Sequence, residues 1–147
     1  MTKRLAVHPP IIFPRVRGFD RWGSGAYGAP RGDHTHHGVD FAVERGSAIC
    51  SLRPGRVSKI GYPYPPSDPR KGHYRYVEIL CGEHRFRYFY IQPLIEMHQE
   101  IEIDQPIGIA QGLQMVYPGI TDHIHFEVMD IERKQYFDPA EFVELNQ

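Results

Sequence analysis

The hydrophobic pattern changes character near residue 38. Residues 1–35 mix Pro, Gly and Arg with scattered apolar positions and follow neither a period of two nor one of 3.6. They read as an extended arm and loop. From residue 38 onward, short apolar runs cut by turn residues predict strands at 39–43, 48–52, 57–62, 74–81, 84–91, 100–103, 106–111 and 123–130. Residues 53–56 carry Pro and Gly where a type II turn wants them. Residues 62–72 hold four prolines and predict a surface loop. Gly82-Glu83 reads as the turn of a hairpin. Residues 123–130 alternate strictly: Ile124, Phe126 and Val128 face one way, His123, His125 and Glu127 the other. Only the end looks helical. Asp138 suits an N-cap, Pro139 the first helical position and Glu141 a capping box, for about two turns. The expected architecture is all-β, mainly antiparallel strands in an open, sandwich-like arrangement, with a short C-terminal helix. Residues 1–19 are expected to form an arm and 20–147 a single domain.

Composition supports this and narrows it. Gly and Pro together are 27 of 147 residues, which favours turns over long helices. A chain of this length buries ~70% of its unfolded surface and needs no disulfide or metal to hold a core. Lys and Arg number 17 against 18 Asp and Glu, which argues against a nucleic-acid partner. No apolar run approaches the ~18 residues of a membrane span. Ile11-Ile12-Phe13 is too short for a signal-peptide core. The near-zero net charge hides an asymmetry. Residues 1–75 hold 13 basic and 5 acidic side chains, residues 76–147 hold 4 and 13. The two halves are expected to pair across one fold, with a basic surface for an anionic polymer as the sharper reading. Cys50 and Cys81 sit alone in apolar stretches and read as small buried residues, or as one disulfide outside the cytoplasm.

The chemistry concentrates in histidine, of which there are nine. Two clusters hold five of them: Asp33-His34-Thr35-His36-His37-Gly38-Val39-Asp40, and Asp122-His123-Ile124-His125-Phe126-Glu127. His123 and His125 share one face of a strand whose other face is apolar, so the core anchors them ~7 Å apart. That spacing lets one ligate a metal while the other stands beside it. His36 and Asp40 would lie ~13 Å apart on a straight strand, too far for one ion, so a bend at Gly38 is required. On spacing alone His34, His36 and His37 are all candidate ligands. Two histidines and a carboxylate with an open fourth position suit a catalytic zinc site. An HxH strand also occurs in cupins, but HxxxD has no role there.

His36-His37-Gly38-Val39-Asp40 resembles the HxxxD signature of the lysostaphin/LytM-type zinc endopeptidases, and His123-Ile124-His125-Phe126-Glu127-Val128 their closing HxHFEV segment. The connecting text is similar too. Ser24–Arg31 resembles the family's "SgFG…R" opening, Pro54-Gly55-Arg56-Val57 its "dGxV" turn, residues 100–110 its "GqxIG" segment, and Phe137-Asp138-Pro139 its closing "dP". The match spans about residues 20–140. The resemblance implies a duplicated hybrid motif fold with a long groove. It implies one Zn²⁺ per chain on His36, Asp40 and His125, with His123 catalytic. It implies hydrolysis of peptide bonds in bacterial peptidoglycan by a monomer acting in the cell envelope. With no leader peptide visible, a phage-encoded product or a trimmed chain is expected.

One departure stands out. The family carries a second catalytic histidine in a YxHL-like stretch, and the aligned residues here are Tyr88-Phe89-Tyr90-Ile91. Tyr90 occupies the histidine position. A phenol is a poor base at neutral pH but a good hydrogen-bond donor, so Tyr90 is expected to stabilise an oxyanion. It also fits a weakened descendant, a zinc-bound peptidoglycan-binding or partner-activating module. His98 stands where the family often has Gly and reads as a loop residue. Tyr62, Tyr64, Tyr74, Tyr76 and Tyr88 are candidates for groove walls, Tyr88 and Tyr74 foremost as substrate contacts.

Overall fold

A computed structural model describes residues 15–32 and 34–142. Its strands, in chain order, are β1 (Arg15–Val16), β2 (Pro30–Arg31), β3 (His34–Thr35), β4 (Val39–Ala42), β5 (Ala48–Cys50), β6 (Gly55–Gly61), β7 (Tyr76–Cys81), β8 (His84–Phe89), β9 (Ile91–Pro93), β10 (Glu100–Ile101), β11 (Pro106–Ala110), β12 (His123–Asp130) and β13 (Gln135–Phe137). One large antiparallel sheet runs β1-β4-β12-β8-β7-β6-β10, with β13 also paired to β12. A small sheet runs β5-β11-β9, and β2 pairs β3. The all-β expectation therefore holds.

The alternation along β12 does what its period demands. Ile124, Phe126 and Val128 are buried, and Phe126 is fully so. Its ring lies 4.9 Å from Tyr88, 5.9 Å from Phe41 and 6.0 Å from Phe86, aromatics of the two neighbouring strands. Ile49 of β5, Ile91 of β9 and Ile107 of β11 join the same apolar cluster, so the small sheet packs on the large one. Each such fully buried side chain stabilises the fold by ~1.5–3 kcal/mol. With one face committed to the core, His123, His125 and Glu127 must face the other side.

Several local expectations are corrected. Residues 53–56 form no type II turn: Gly55 lacks the positive φ that turn requires and begins β6. A glycine is needed there because a Cβ would run into the Leu80 carbonyl and lie 2.7 Å from Ile79 Cγ2. The strand expected over 84–91 breaks at Tyr90, whose φ is 72°. That corner turns the chain from the large sheet into the small one, and backbone patterning does not reveal it. His98 has φ 69°, the left-handed backbone that glycine adopts most readily, which fits its expected place in a loop. The C-terminal helix is a single 3₁₀ turn, Pro139–Phe142, among the described residues, and residues 143–147 lie outside them. Asp138 caps it by accepting the Ala140 N–H at 2.9 Å. Cys50 and Cys81 are not joined by a disulfide. Of the expected arm, residues 1–14 lie outside the described part, while Arg15 and Val16 pair with Ala42 and Phe41.

The two halves do pair across one fold, through the backbone and through His125 and Asp40, while the arginine ion pairs stay within each half. Arg17 pairs with Asp20 and Asp40, all from the first half, and Arg85 and Arg87 pair with Glu78, all from the second. These ion pairs do not join the halves. The backbone ladders β6–β7 and β4–β12 do.

Candidate functional site

The register of the sheet builds the site. β12 pairs β4 with His125 opposite Asp40, so the two side chains stand side by side on the groove face. His36 arrives just before β4 and is fixed by its backbone: its N–H donates to the Ala29 carbonyl and its carbonyl accepts the Gly28 N–H. Gly38 bridges His36 and β4. It has no left-handed φ; its role is close approach. A Cβ there would meet the Phe126 carbonyl and lie 2.8 Å from His125 Cε1. The expected bend is therefore real, and what it requires is the absence of a side chain.

Three donor atoms converge. His36 Nε2 lies 2.9 Å from His125 Nδ1 and 3.2 Å from Asp40 Oδ1, and His125 Nδ1 lies 3.1 Å from Asp40 Oδ1. Ligands at tetrahedral zinc bond lengths stand ~3.3 Å apart, so these spacings fit one ion. The outer hydrogen bonds agree. His36 Nδ1 donates to the Ala26 carbonyl at 3.0 Å, and His125 Nε2 donates to Glu127 Oε1 at 2.8 Å. Each bond holds the ring's proton on the far nitrogen and turns a lone pair inward. Two inward lone pairs and a carboxylate oxygen repel one another unless a proton or a cation sits among them. In the absence of metal, a proton serves. Burial works against charge on His125, but hydrogen bonds to the Asp40 and Glu127 carboxylates prevail and push its pKa up to about 9. Burial likewise opposes ionisation of Asp40, yet hydrogen bonds from His125 and His36 hold its carboxyl well below the usual range. The residues present fit a divalent zinc-type ion, and all three line one cleft.

His123 stands beside this centre without joining it. Its Nδ1 donates to the Thr121 carbonyl at 2.7 Å, which leaves Nε2 as an acceptor 3.4 Å from Asp40 Oδ2. Burial lowers its pKa, so the ring is neutral at neutral pH. The site opens into a cleft of about 500 Å³ lined by Trp22, Tyr64, Phe89, Tyr90, Tyr117 and Glu127 among others. The Tyr90 ring meets His123 edge-on at 5.8 Å, and its hydroxyl lies 3.2 Å from that of Tyr64. Burial pushes the Tyr90 pKa well up, so the phenol keeps its proton and can donate but not act as a base.

The structure thus brings together His36, Asp40, His125, His123 and Tyr90. His34 and His37 line the same cleft, but among the described residues the metal-type cluster comprises His36, Asp40 and His125 alone. His37 stacks instead on Tyr136 at 4.5 Å. Asp33 lies outside the described residues.

Two substrate contacts expected from the sequence are corrected. Tyr88 is fully buried on the core face, where its hydroxyl accepts the Leu52 N–H at 3.0 Å. Tyr74 is 1% exposed and packs behind Tyr90 at 5.2 Å, its hydroxyl donating to the Gly112 carbonyl. Neither can touch a ligand in the cleft. Of the tyrosines expected as groove walls, Tyr64 does line the cleft, its hydroxyl 3.4 Å from that of Tyr117. Trp22 and Tyr117, which meet edge-on at 5.3 Å, are walls that the sequence did not single out. Glu127 was visible as the next same-face residue after His125. Nothing in the local pattern marked Arg17.

Comparison with known proteins adds an independent line. The model of peptidase family M23 matches residues 34–139. Leukocyte cell-derived chemotaxin-2 of Bos taurus is 33% identical over 116 residues, covering 79% of this chain and 74% of the relative. Myeloid protein 1 of Gallus gallus is 34% identical over 124 residues, covering 78% of this chain and 35% of the relative. The catalytic domain of the antimicrobial peptidase lysostaphin from Staphylococcus simulans superposes with a TM-score of 0.61 at 22% identity, over 82% of this chain and 89% of that one.

Proposed function

The chain belongs to peptidase family M23, and from that premise we propose that it is a zinc-dependent endopeptidase that hydrolyses peptide bonds of bacterial peptidoglycan in the cell envelope. His36 Nε2, Asp40 Oδ1 and His125 Nδ1 hold one Zn²⁺ per chain in this reading. When bound, the ion supplies a Lewis acid for the scissile carbonyl and lowers the pKa of water toward ~7. His123 Nε2 takes the proton from the attacking water and returns it to the departing amine. The Tyr90 hydroxyl donates to the carbonyl oxygen as charge grows there. Trp22, Tyr64 and Tyr117 present aromatic faces to a sugar or peptide chain. The observation that carries the reading is the set of three inward donor atoms 2.9–3.2 Å apart with the acceptor nitrogen of His123 beside them.

Protein purified without chelator should contain about one zinc per chain. His123→Ala should keep that zinc yet lower release of peptide fragments from peptidoglycan by ~10²–10⁴-fold, the usual scale for a general base. Absence of zinc would sink the reading, and full activity in His123→Ala would remove His123 from it.

A second reading has its own observation. Tyr90 cannot replace an imidazole as a base, since its pKa is raised by burial. The bovine relative, moreover, is named as a chemotaxin and not as a peptidase. A folded, zinc-loaded protein that binds peptidoglycan or another partner without cleaving it would favour a metal-bound recognition module.

A further inference from the structure

The segment ahead of the HxxxD motif does more than lead into the domain. The Arg17 backbone and the Asp40 backbone are tied in a ring: Arg17 N–H donates to the Asp40 carbonyl at 2.6 Å, Asp40 N–H to the Gly25 carbonyl at 2.8 Å, and Gly25 N–H to the Arg17 carbonyl at 3.2 Å. Gly25 admits no side chain, because a Cβ would lie 2.6 Å from Arg17 Cβ and 2.9 Å from Asp40 Cβ. This ring drives the Arg17 guanidinium, 3% exposed, under the metal-type centre. Its Nη1 donates to Asp40 Oδ2 at 2.9 Å. Its Nε and Nη2 grip both oxygens of Asp20 at 2.9 and 2.8 Å, a bidentate fork that fixes the guanidinium plane. Asp20 in turn accepts the Thr121 N–H at 2.9 Å, and the Thr121 carbonyl holds the proton of His123.

We infer that Arg17 is a positioning residue for the metal centre, one that occupies Asp40 Oδ2 so that Asp40 offers a single oxygen, Oδ1, to the ion. The inference rests on the metal reading above. A carboxylate has two equivalent oxygens and rotates about one bond, so nothing in Asp40 itself selects one-oxygen ligation. The guanidinium makes the two oxygens different: Oδ2 carries the Arg17 hydrogen bond, while Oδ1 is the atom near His36 and His125. Asp20 takes two further donors of the guanidinium, Nε and Nη2, and so fixes the plane in which Nη1 reaches Asp40. The clasp also reaches His123 through Thr121, so one segment sets both the ligand geometry and the tautomer of the neighbouring imidazole.

Cobalt(II) reports coordination number directly, because four-coordinate cobalt absorbs visible light far more strongly than five- or six-coordinate cobalt. Full-length chain is stripped of metal, reloaded with Co²⁺, and titrated against a chelator. Wild type should give the intense four-coordinate spectrum. Arg17→Met should bind ~10–100-fold more weakly, the usual effect of losing an outer-shell partner. Its absorption should drop in intensity as Asp40 brings both oxygens to the ion. Arg17→Lys, which returns one donor to Oδ2, should recover intensity toward wild type. A wild-type spectrum and affinity in Arg17→Met would overturn the inference. Should Arg17→Met fail to fold, Asp20→Asn loosens the guanidinium while leaving its charge, and an unchanged spectrum there overturns it equally. A wild-type chain that binds no cobalt would instead defeat the metal reading beneath it.

Discussion

Adjacent tyrosines in this chain are used in opposite ways. Tyr88 and Tyr90 lie two residues apart and would share a face on a regular strand. The positive φ of Tyr90 breaks that rule and turns its ring into the cleft beside His123, while Tyr88 stays in the core. Their substitutions should separate accordingly. Tyr90→Phe removes a donor from the cleft and should lower turnover by ~10²-fold with little change in stability. Tyr88→Phe leaves the part-buried Leu52 N–H without its acceptor and should destabilise the fold by ~1 kcal/mol, with KM and kcat unchanged. Steady-state kinetics beside urea unfolding would check both, and the reverse assignment would show that the corner at residue 90 is not as described.

At the level of elements, the contact between β4 and β12 decides whether a site exists. His36 and Asp40 approach through a turn whose tightness depends on Gly38, packed against the Phe126 carbonyl and the His125 ring. Gly38→Ala should force β12 away from that turn. An overpacked site of this kind costs ~1–3 kcal/mol. The variant should therefore unfold at lower urea and hold zinc more weakly, since His125 is the ring that must move. Chelator competition and urea melts on the same preparation measure both effects. Loss of stability without loss of metal affinity would mean that the turn adjusts without disturbing His125.

Across the whole molecule, the clasp of Asp20, Arg17 and Asp40 joins the leading segment, β4 and the loop before β12. Its hydrogen bonds, that from Arg17 foremost, hold the Asp20 carboxyl well below the usual range. A carboxylate with a depressed folded pKa contributes stability that is present above its unfolded value, near ~3.9, and is lost as pH falls toward the folded value. The metal-free protein should thus lose stability progressively below about pH 4. Asp20→Asn should be less stable at neutral pH and show a shallower acid limb. Thermal melts between pH 2.5 and 7 would test this, and an acid limb as steep as wild type would show that Asp20 does not report on the clasp.

Much of this protein was legible one residue at a time. The alternation over 123–130 specified which side chains face the core, because the side-chain period of a strand is a covalent fact. The two histidine clusters offered His34, His36, His37, Asp40, His123 and His125 as candidates, and the family resemblance of the HxxxD and HxH segments picked His36, Asp40 and His125 as ligands with His123 beside them. Asp138, Pro139 and Glu141 marked the final turn through local hydrogen bonding. What stayed hidden was set by contacts between segments far apart in the chain. Gly55 looked like a turn residue and proved to be a packing glycine, since its constraint comes from Leu80 and Ile79. Tyr88 and Tyr74 looked like groove walls and are buried, because which face a tyrosine presents depends on where the strand breaks. Arg17, in a stretch with no pattern at all, lies under the metal-type centre. The sequence alone indicated the all-β class and the residue types gathered at the candidate site. Only the tertiary structure decided its geometry, because the distances between donor atoms depend on sheet register, and register sums many weak contacts that no single segment contains.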